Sequence, residues 1–175
     1  MYMYVSRAAV RPTCPIQTRR TSFSSTALVK VIVVTDDVDR TAGAYERLLG
    51  TDRKPEEQKE HRMVREPYTC YFGDKITDTP MKVKSVLTEN FWFEIIQPLG
   101  DHDPWAQWLK DHGTSICSVC LVTNGSLEAD EEKMAQEGYQ SIFKQEKGYE
   151  AYEYFDTSRD LGTLLEMKEI YGEDK

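Results

Sequence analysis

The sequence predicts an α+β fold in which two tandem βαβββ modules form curved sheets around a shared cleft. Two observations lead to this prediction. A strand, a helix and three further strands follow one another in each half of the chain, and a short apolar strand with one interior glutamate closes each half. With 175 residues, 39% of them hydrophobic, the chain is long enough to form one such globular domain.

The first half begins with a strand over residues 27–35, which is rich in β-branched side chains. A helix follows over 38–49, because Asp36 and Asp37 can cap it and apolar residues recur at helical spacing. Residues 51–66 are charged and have no apolar period, which predicts a mobile loop. Three strands complete the half, over residues 68–72, 81–87 and 91–97.

A short helix over 101–112 joins the halves, with Pro104 in its first turn and Gly113 after its end. The second half then repeats the first, as a strand over 115–123, a helix over 124–137 and strands over 139–145, 149–156 and 162–168. The predicted domain spans residues 29–175, with module 1 at about 29–100, the linker helix at about 101–113 and module 2 at about 114–169.

Residues 1–28 are rich in Arg, Ser and Thr, contain no acid and are interrupted by Pro12 and Pro15. This composition is typical of a mitochondrial transit segment and also of a disordered tail, and both interpretations stay open. Four cysteines in a chain of this length do not form a disulfide framework. We therefore expect an intracellular protein in a reducing compartment, either cytoplasmic or mitochondrial.

The net charge of −8 argues against nucleic acid as a partner, because an acidic surface repels phosphates and no basic stripe offsets it. No apolar run approaches the roughly 20 residues that cross a bilayer, so no membrane partner is expected. The expected partner is a small-molecule substrate or ligand, bound by a monomer or a homodimer.

Two glutamates occupy the interiors of predicted strands. In residues 91–97, alternation places Trp92, Glu94 and Ile96 on one face. Glu166 lies in a similar apolar run over 162–167. A buried ionised carboxylate costs several kcal/mol, so each must be paired, bind a ligand or face a wet cavity. The repeated pattern predicts that both acids point into one pocket.

Three segments of the chain resemble the vicinal oxygen chelate superfamily, which includes glyoxalase I, methylmalonyl-CoA epimerase, extradiol dioxygenases and bleomycin-resistance proteins. They are the opener VIVVTDDVDRTAGAYERLLG, the segment FEIIQPLGD with its WAQWLKDHG helix, and the closing YFDTSRDLGTLLEM. The resemblance covers residues 29–169 and implies the two-module fold. It does not imply one reaction, since this superfamily supports many.

The resemblance also implies four metal-ligand positions, which fall on Lys30, Glu94, Ser118 and Glu166. The two glutamates match the superfamily, whereas Lys30 and Ser118 depart from it. An ammonium group has no lone pair to donate, and a serine hydroxyl is a poor ligand for a divalent ion. We therefore expect no cofactor and no tightly bound transition metal; a divalent metal, if present, would use Glu94 and Glu166.

Lys30 is predicted to take the place of the metal between the two carboxylates. On the functional hypothesis, Lys30, Glu94 and Glu166 are catalytic, one acid exchanges a proton with the substrate, and Lys30 stabilises an enolate. On the alternative hypothesis, Lys30 only neutralises two acids in a structural ion triad. Substitution of Lys30 by Met separates the two.

Five further residues are candidates for substrate binding: Ser118, Trp92, Tyr152, Tyr154 and His61. The two tyrosines share a strand face opposite Glu153, where they either stack on a planar substrate or pack in the core. His61 lies in the charged loop. Strand alternation predicts that Cys117 and Cys120 point to opposite faces, so this CxxC pair is expected to serve core packing.

The preferred function is a glyoxalase-like isomerase or lyase that acts on a small oxygenated molecule by acid/base chemistry through an enolate-like intermediate. Two alternatives stay open. One is a small-molecule binding protein of the bleomycin-resistance type without turnover. The other is a divalent-metal-dependent lyase or epimerase.

Overall fold

The computed structural model describes residues 27–49, 69–72, 75–77, 79–123, 125–147 and 150–171. The predicted loop over 51–66, with His61, lies outside these ranges, and so does the predicted tail except for its last two residues.

Nine strands and four helices lie within the described residues. In chain order they are β1 (Ala27–Val34), α1 (Val38–Leu49), β2 (Thr69–Phe72), β3 (Lys75–Thr77), β4 (Met81–Leu87), β5 (Trp92–Pro98), α2 (Pro104–His112), β6 (Ser115–Val122), α3 (Leu127–Gln136), β7 (Ser141–Glu146), β8 (Glu150–Phe155), α4 (Ser158–Leu161) and β9 (Leu164–Ile170). The predicted elements are present, and the structure adds β3 and α4, which were not predicted from the sequence.

The strands form one curled sheet in the order β3-β2-β7-β8-β9-β6-β1-β5-β4. The first strands of the two modules, β1 and β6, pair antiparallel at its centre. Each also pairs in parallel with the last strand of its own module, β1 with β5 and β6 with β9. This confirms the α+β class with two related halves. The halves share one continuous sheet, however, and β2 pairs with β7 of the other module.

Helices cover both faces of the sheet. The outer face carries α1, whose Val38 and Ala42 pack on Val33 and Ile95. It also carries α3, which packs on β8 and β9 through residues such as Met134. The inner face, defined here by Lys30, Glu94 and Glu166, is partly covered by α2. None of the described helices is long and apolar enough to span a bilayer.

The linker helix α2 supplies the core of the inner face. Asp103 begins the helix by accepting a hydrogen bond from the Ala106 amide at 2.8 Å, and Gly113 ends it with a φ of 68°. Trp105 and Trp108, one turn apart, are buried among Ile32, Val34, Ile96, Phe143, Tyr154 and Leu164. The two tryptophans therefore serve packing, and this part of the inner face belongs to the core.

A β-bulge in β6 places Cys117 and Cys120 on the same face of the sheet. Ile32 pairs with Ser118, but the next residue of β1 pairs with Ile116, which leaves Cys117 as the extra residue. Cys117 consequently joins the inner core, and Cys120 lies on the same face opposite Lys30. The expectation of opposite faces was wrong. Burial raises the pKa of both thiols well above the ordinary value, so neither forms a reactive thiolate.

Glu153 lies on the outer face of β8 and is fully buried. Neither of its carboxylate oxygens has a hydrogen bond of good geometry within the described residues. Burial raises the pKa of Glu153, and the nearby Glu131 carboxylate adds to this rise, while Ser141 and Lys144 oppose it. A carboxyl group with a raised pKa stabilises the fold below its unfolded pKa of about 4.3, and this contribution is lost as the pH rises through the folded pKa.

Replacement of Glu153 by Gln is therefore expected to stabilise the protein at alkaline pH. Removing a buried charge that lacks good hydrogen bonds should raise the free energy of unfolding by about 1 to 3 kcal/mol. Urea unfolding at pH 5 and pH 8 measures the effect, which should be larger at pH 8. A variant less stable than the wild type at pH 8 would mean that Lys144 holds Glu153 in a favourable ion pair.

Candidate active site

The pairing register places four side chains at equivalent positions of the two modules. In module 1, Lys30 pairs with Trp92 and Ile32 with Glu94. In module 2, Ser118 pairs with Leu164 and Cys120 with Glu166. The antiparallel pairs Lys30 with Cys120 and Ile32 with Ser118 relate the two sets by a local two-fold axis. Lys30 therefore corresponds to Ser118, and Glu94 corresponds to Glu166.

The structure brings Lys30, Glu94 and Glu166 together; the repeated strand pattern indicated this for the two glutamates, and the superfamily resemblance implied it for Lys30. Lys30 Nζ donates a hydrogen bond to Glu94 Oε2 at 2.8 Å. The same nitrogen lies 3.1 Å from Glu166 Oε1, an ion-pair distance without hydrogen-bond geometry. The three side chains come from β1, β5 and β9, so the ion triad links both modules across the centre of the sheet.

Lys30 and Glu94 hold each other in the charged form. Burial opposes the charge of Lys30, but Glu166 and Glu94 outweigh it and keep the pKa of the ammonium well above its ordinary value. Burial likewise opposes ionisation of Glu94, yet Lys30 keeps the pKa of that carboxyl below its ordinary value. A single ammonium thus lies between two carboxyl groups, and its charge can balance only one of them.

Glu166 has further donors around it. The Tyr154 hydroxyl donates to Glu166 Oε2 at 2.8 Å, and the Cys120 thiol lies close enough for Glu166 to raise its pKa. Burial and the two glutamates keep the pKa of Tyr154 well above its ordinary value, so its hydroxyl remains a donor. Tyr154 is therefore a partner of Glu166 and a member of the core at the same time.

The other candidates occupy different parts of the inner face. Tyr152 is buried beside the triad, with its ring centroid 5.6 Å from Lys30 Nζ. Ser118 is fully buried, and its hydroxyl has no partner within the described residues. Trp92 pairs with Lys30, and its buried indole N–H also has no partner there. His61 lies outside the described residues.

A second charged group on the inner face was missed in the sequence. Lys168 Nζ lies 2.6 Å from Glu150 Oε2, and Lys147 Nζ lies 3.4 Å from Glu150 Oε1. Lys147 also lies over the Tyr152 ring, 4.9 Å from its centroid. Both lysines help to lower the pKa of Glu94. Lys168 could have been identified, because it lies two residues after Glu166 and so shares its face.

The inner face does not fit a divalent metal ion. The two carboxylates that could act as ligands are already bridged by an ammonium group, which would repel a cation at that point. The remaining position offers only the hydroxyl of Ser118. Within the described residues, no group of three or more His, Cys, Asp or Glu is arranged to hold a metal.

Replacement of Lys30 by Met should leave two buried carboxylates without a counterion. Removing one partner of a buried ion group costs about 3 to 5 kcal/mol, so we expect a loss of that size in the free energy of unfolding at neutral pH. The loss should shrink near pH 4.5, where the carboxylates can take up protons on burial.

Urea unfolding at both pH values checks this prediction. Lys82→Met is the matched control, because Lys82 is an exposed lysine in strand β4. An equal loss in the two variants, or a loss at Lys30 that does not depend on pH, would contradict a role for Lys30 as counterion.

Comparison with known proteins identifies the fold. No family model matches the sequence, and no curated protein matches it significantly. Among solved structures, a methylmalonyl-CoA epimerase from Mycobacterium tuberculosis is similar with a TM-score of 0.56 and 15% identity, over 89% of this chain and 95% of that chain.

Two further structures of methylmalonyl-CoA epimerases are similar. A Streptomyces coelicolor variant, solved with 2-nitronate-propionyl-CoA, has a TM-score of 0.54 and 13% identity over 84% of this chain and 96% of that chain. An epimerase solved with methylmalonyl-CoA and NH4+ has a TM-score of 0.53 and 12% identity over 85% of this chain and 96% of that chain. The chain therefore has the fold of the vicinal oxygen chelate superfamily, to which these epimerases belong.

Proposed function

We propose that this protein is an isomerase-type enzyme that removes and returns a proton next to a carbonyl group of a small oxygenated molecule. The observation that carries the proposal is the position of Lys30 Nζ, 2.8 Å from Glu94 and 3.1 Å from Glu166, at the centre of the inner face. It places a fixed positive charge and two carboxylates at one point. Proton abstraction beside a carbonyl needs both a base and a group that accepts developing negative charge.

The chemistry balances without a redox partner. A carboxylate oxygen takes the proton as the C–H bond breaks, and the electron pair of that bond forms a carbon–carbon double bond. The carbonyl electron pair moves onto oxygen, where the ammonium of Lys30 stabilises it. Return of the proton restores the carbonyl. The ammonium does not act as the acid, because its raised pKa keeps the proton on Lys30.

The substrate class is suggested by the neighbouring structures. Two of the similar epimerases are solved with coenzyme A thioesters, and one of these ligands, methylmalonyl-CoA, carries an acidic hydrogen next to a carbonyl. We therefore take methylmalonyl-CoA as the first probe, together with acetoin as a small carbonyl compound with a chiral acidic C–H. A lyase reaction on a related molecule would begin with the same proton abstraction.

A second candidate function is binding without turnover. It is favoured by one observation: both oxygens of Glu166 are engaged, Oε2 by Tyr154 and Oε1 by Lys30, as in a structural ion triad. On this hypothesis the part of the inner face beside Glu94 holds a small molecule, as the bleomycin-resistance proteins do. Lys30 then serves only the stability of the fold.

Hydrogen exchange tests the proposal. The purified protein, with its metal content measured, is incubated with each probe in deuterated water, and deuterium at the carbon next to the carbonyl is followed by mass spectrometry. We expect exchange that needs no added metal, and a loss of about 100-fold in Lys30→Met, since removal of one charge-stabilising donor costs about that factor.

Thermal melts with Mg²⁺, Mn²⁺, Zn²⁺ and Ni²⁺ complete the test. A stoichiometric ion that raises the melting temperature would overturn the role proposed for Lys30 and restore the metal-dependent alternative. Absence of exchange with both probes, combined with a melting shift on their addition, would support binding without turnover.

A further inference from the structure

The two glutamates of the triad differ in their access to solvent. The side chain of Glu94 is 21% exposed, whereas that of Glu166 is 0% exposed. Glu94 lies on β5, one strand from the sheet edge formed by β4, and Glu166 lies on β9 between β8 and β6. A bound molecule on the inner face can therefore reach one of these carboxylates but not the other.

Glu166 is also enclosed by aromatic side chains. The ring of its partner Tyr154 packs edge-on against Trp105 at 5.3 Å and against Phe143 at 5.8 Å. The Tyr152 ring lies 6.2 Å from Tyr154 on the same strand. These rings belong to the core beneath α2, so a substrate atom could approach Glu166 only by displacing that core.

The oxygens of the two carboxylates have different neighbours. Tyr154 donates to Glu166 Oε2, and Lys30 Nζ lies beside Glu166 Oε1. Glu94 Oε2 accepts from Lys30, and Lys30 is the hydrogen-bond donor to Glu94 within the described residues. Glu166 thus has a neighbour at each oxygen and is fully buried, whereas Glu94 has its hydrogen bond at Oε2 and a partly exposed side chain.

We propose that Glu94 is the one base of this site and that Glu166 and Tyr154 are positioning residues, which hold the Lys30 ammonium against Glu94. This inference rests on the proposed function and assigns its reaction class. A proton removed by a base on one face of the substrate returns on that same face. The chemistry is then proton transfer with retention, as in the interconversion of a ketone and its enol or the shift of a hydrogen between neighbouring carbons, and not inversion of a stereocentre.

The stereochemistry of exchange tests this inference. A single epimer of methylmalonyl-CoA, and in parallel one enantiomer of acetoin, is incubated with the wild-type protein in deuterated water. Because Glu94 is partly exposed, its proton can exchange with solvent between removal and return. The expected result is deuterium uptake with full retention of configuration. Uptake with racemisation would overturn the single-base inference and leave the proposed function standing, whereas no uptake from either probe would overturn both.

Substitutions at the two glutamates give the second measurement. Glu94→Gln should lower the exchange rate by about 100-fold or more, the usual contribution of a general base. Glu166→Gln should retain at least about a tenth of the wild-type rate, because Tyr154 and Lys30 can still pack around an amide. Glu153→Gln is the matched control on the outer face and should leave the rate unchanged. Equal losses at Glu94 and Glu166 would contradict the assignment.

Tyr154→Phe tests the positioning role through the pH profile. Without the tyrosine hydroxyl, Glu166 should draw Lys30 away from Glu94, and the apparent pKa of Glu94 should rise towards its ordinary value. The acid limb of the exchange rate should then move to higher pH than in the wild type. A lower rate with an unmoved acid limb would show that Tyr154 is only a packing residue.

Discussion

The fold depends on one ammonium group, that of Lys30, which is the shared counterion of two glutamates on the inner face of the sheet. Glu94 and Glu166 lie in β5 and β9, the last strands of the two modules, and burying either carboxylate without a counterion would be costly. Lys30 lies on β1, which pairs with β5 of its own module and β6 of the other. Both glutamates thus reach the Lys30 ammonium only when the two modules assemble around β1. The candidate site therefore lies at the interface between the modules.

The linker helix determines how much of the inner face belongs to the buried core. Trp105 and Trp108 fill one end of this face with core, and their neighbours Phe143 and Tyr154 extend that core up to Glu166. The other end keeps the charged side chains of Lys168 and of its partners. This core ends at the triad. Glu166 is fully buried, whereas the side chain of Glu94 is in contact with solvent.

Several features followed from local pattern. The helix α1 has a capping residue that the sequence indicated, since Asp37 accepts a hydrogen bond from the first-turn amide of Arg40. Strand alternation also placed Glu94 on the inner face. Alternation gave the wrong face for Cys117, because a bulge adds one residue to β6 and changes which side chains point to the inner face. A bulge depends on how two strands pair, so it cannot be predicted from the sequence of one strand alone.

The sequence by itself determined the repeated modules and the strands that carry the glutamates. These properties arise from periodicity and from the cost of burying charge, both of which are local. Tertiary structure decided that the modules share one sheet, that β2 pairs with β7, and that Glu166 is fully buried while the side chain of Glu94 stays partly exposed. Such differences depend on which distant side chains, here Tyr154 and the helix α2, come to lie over each carboxylate.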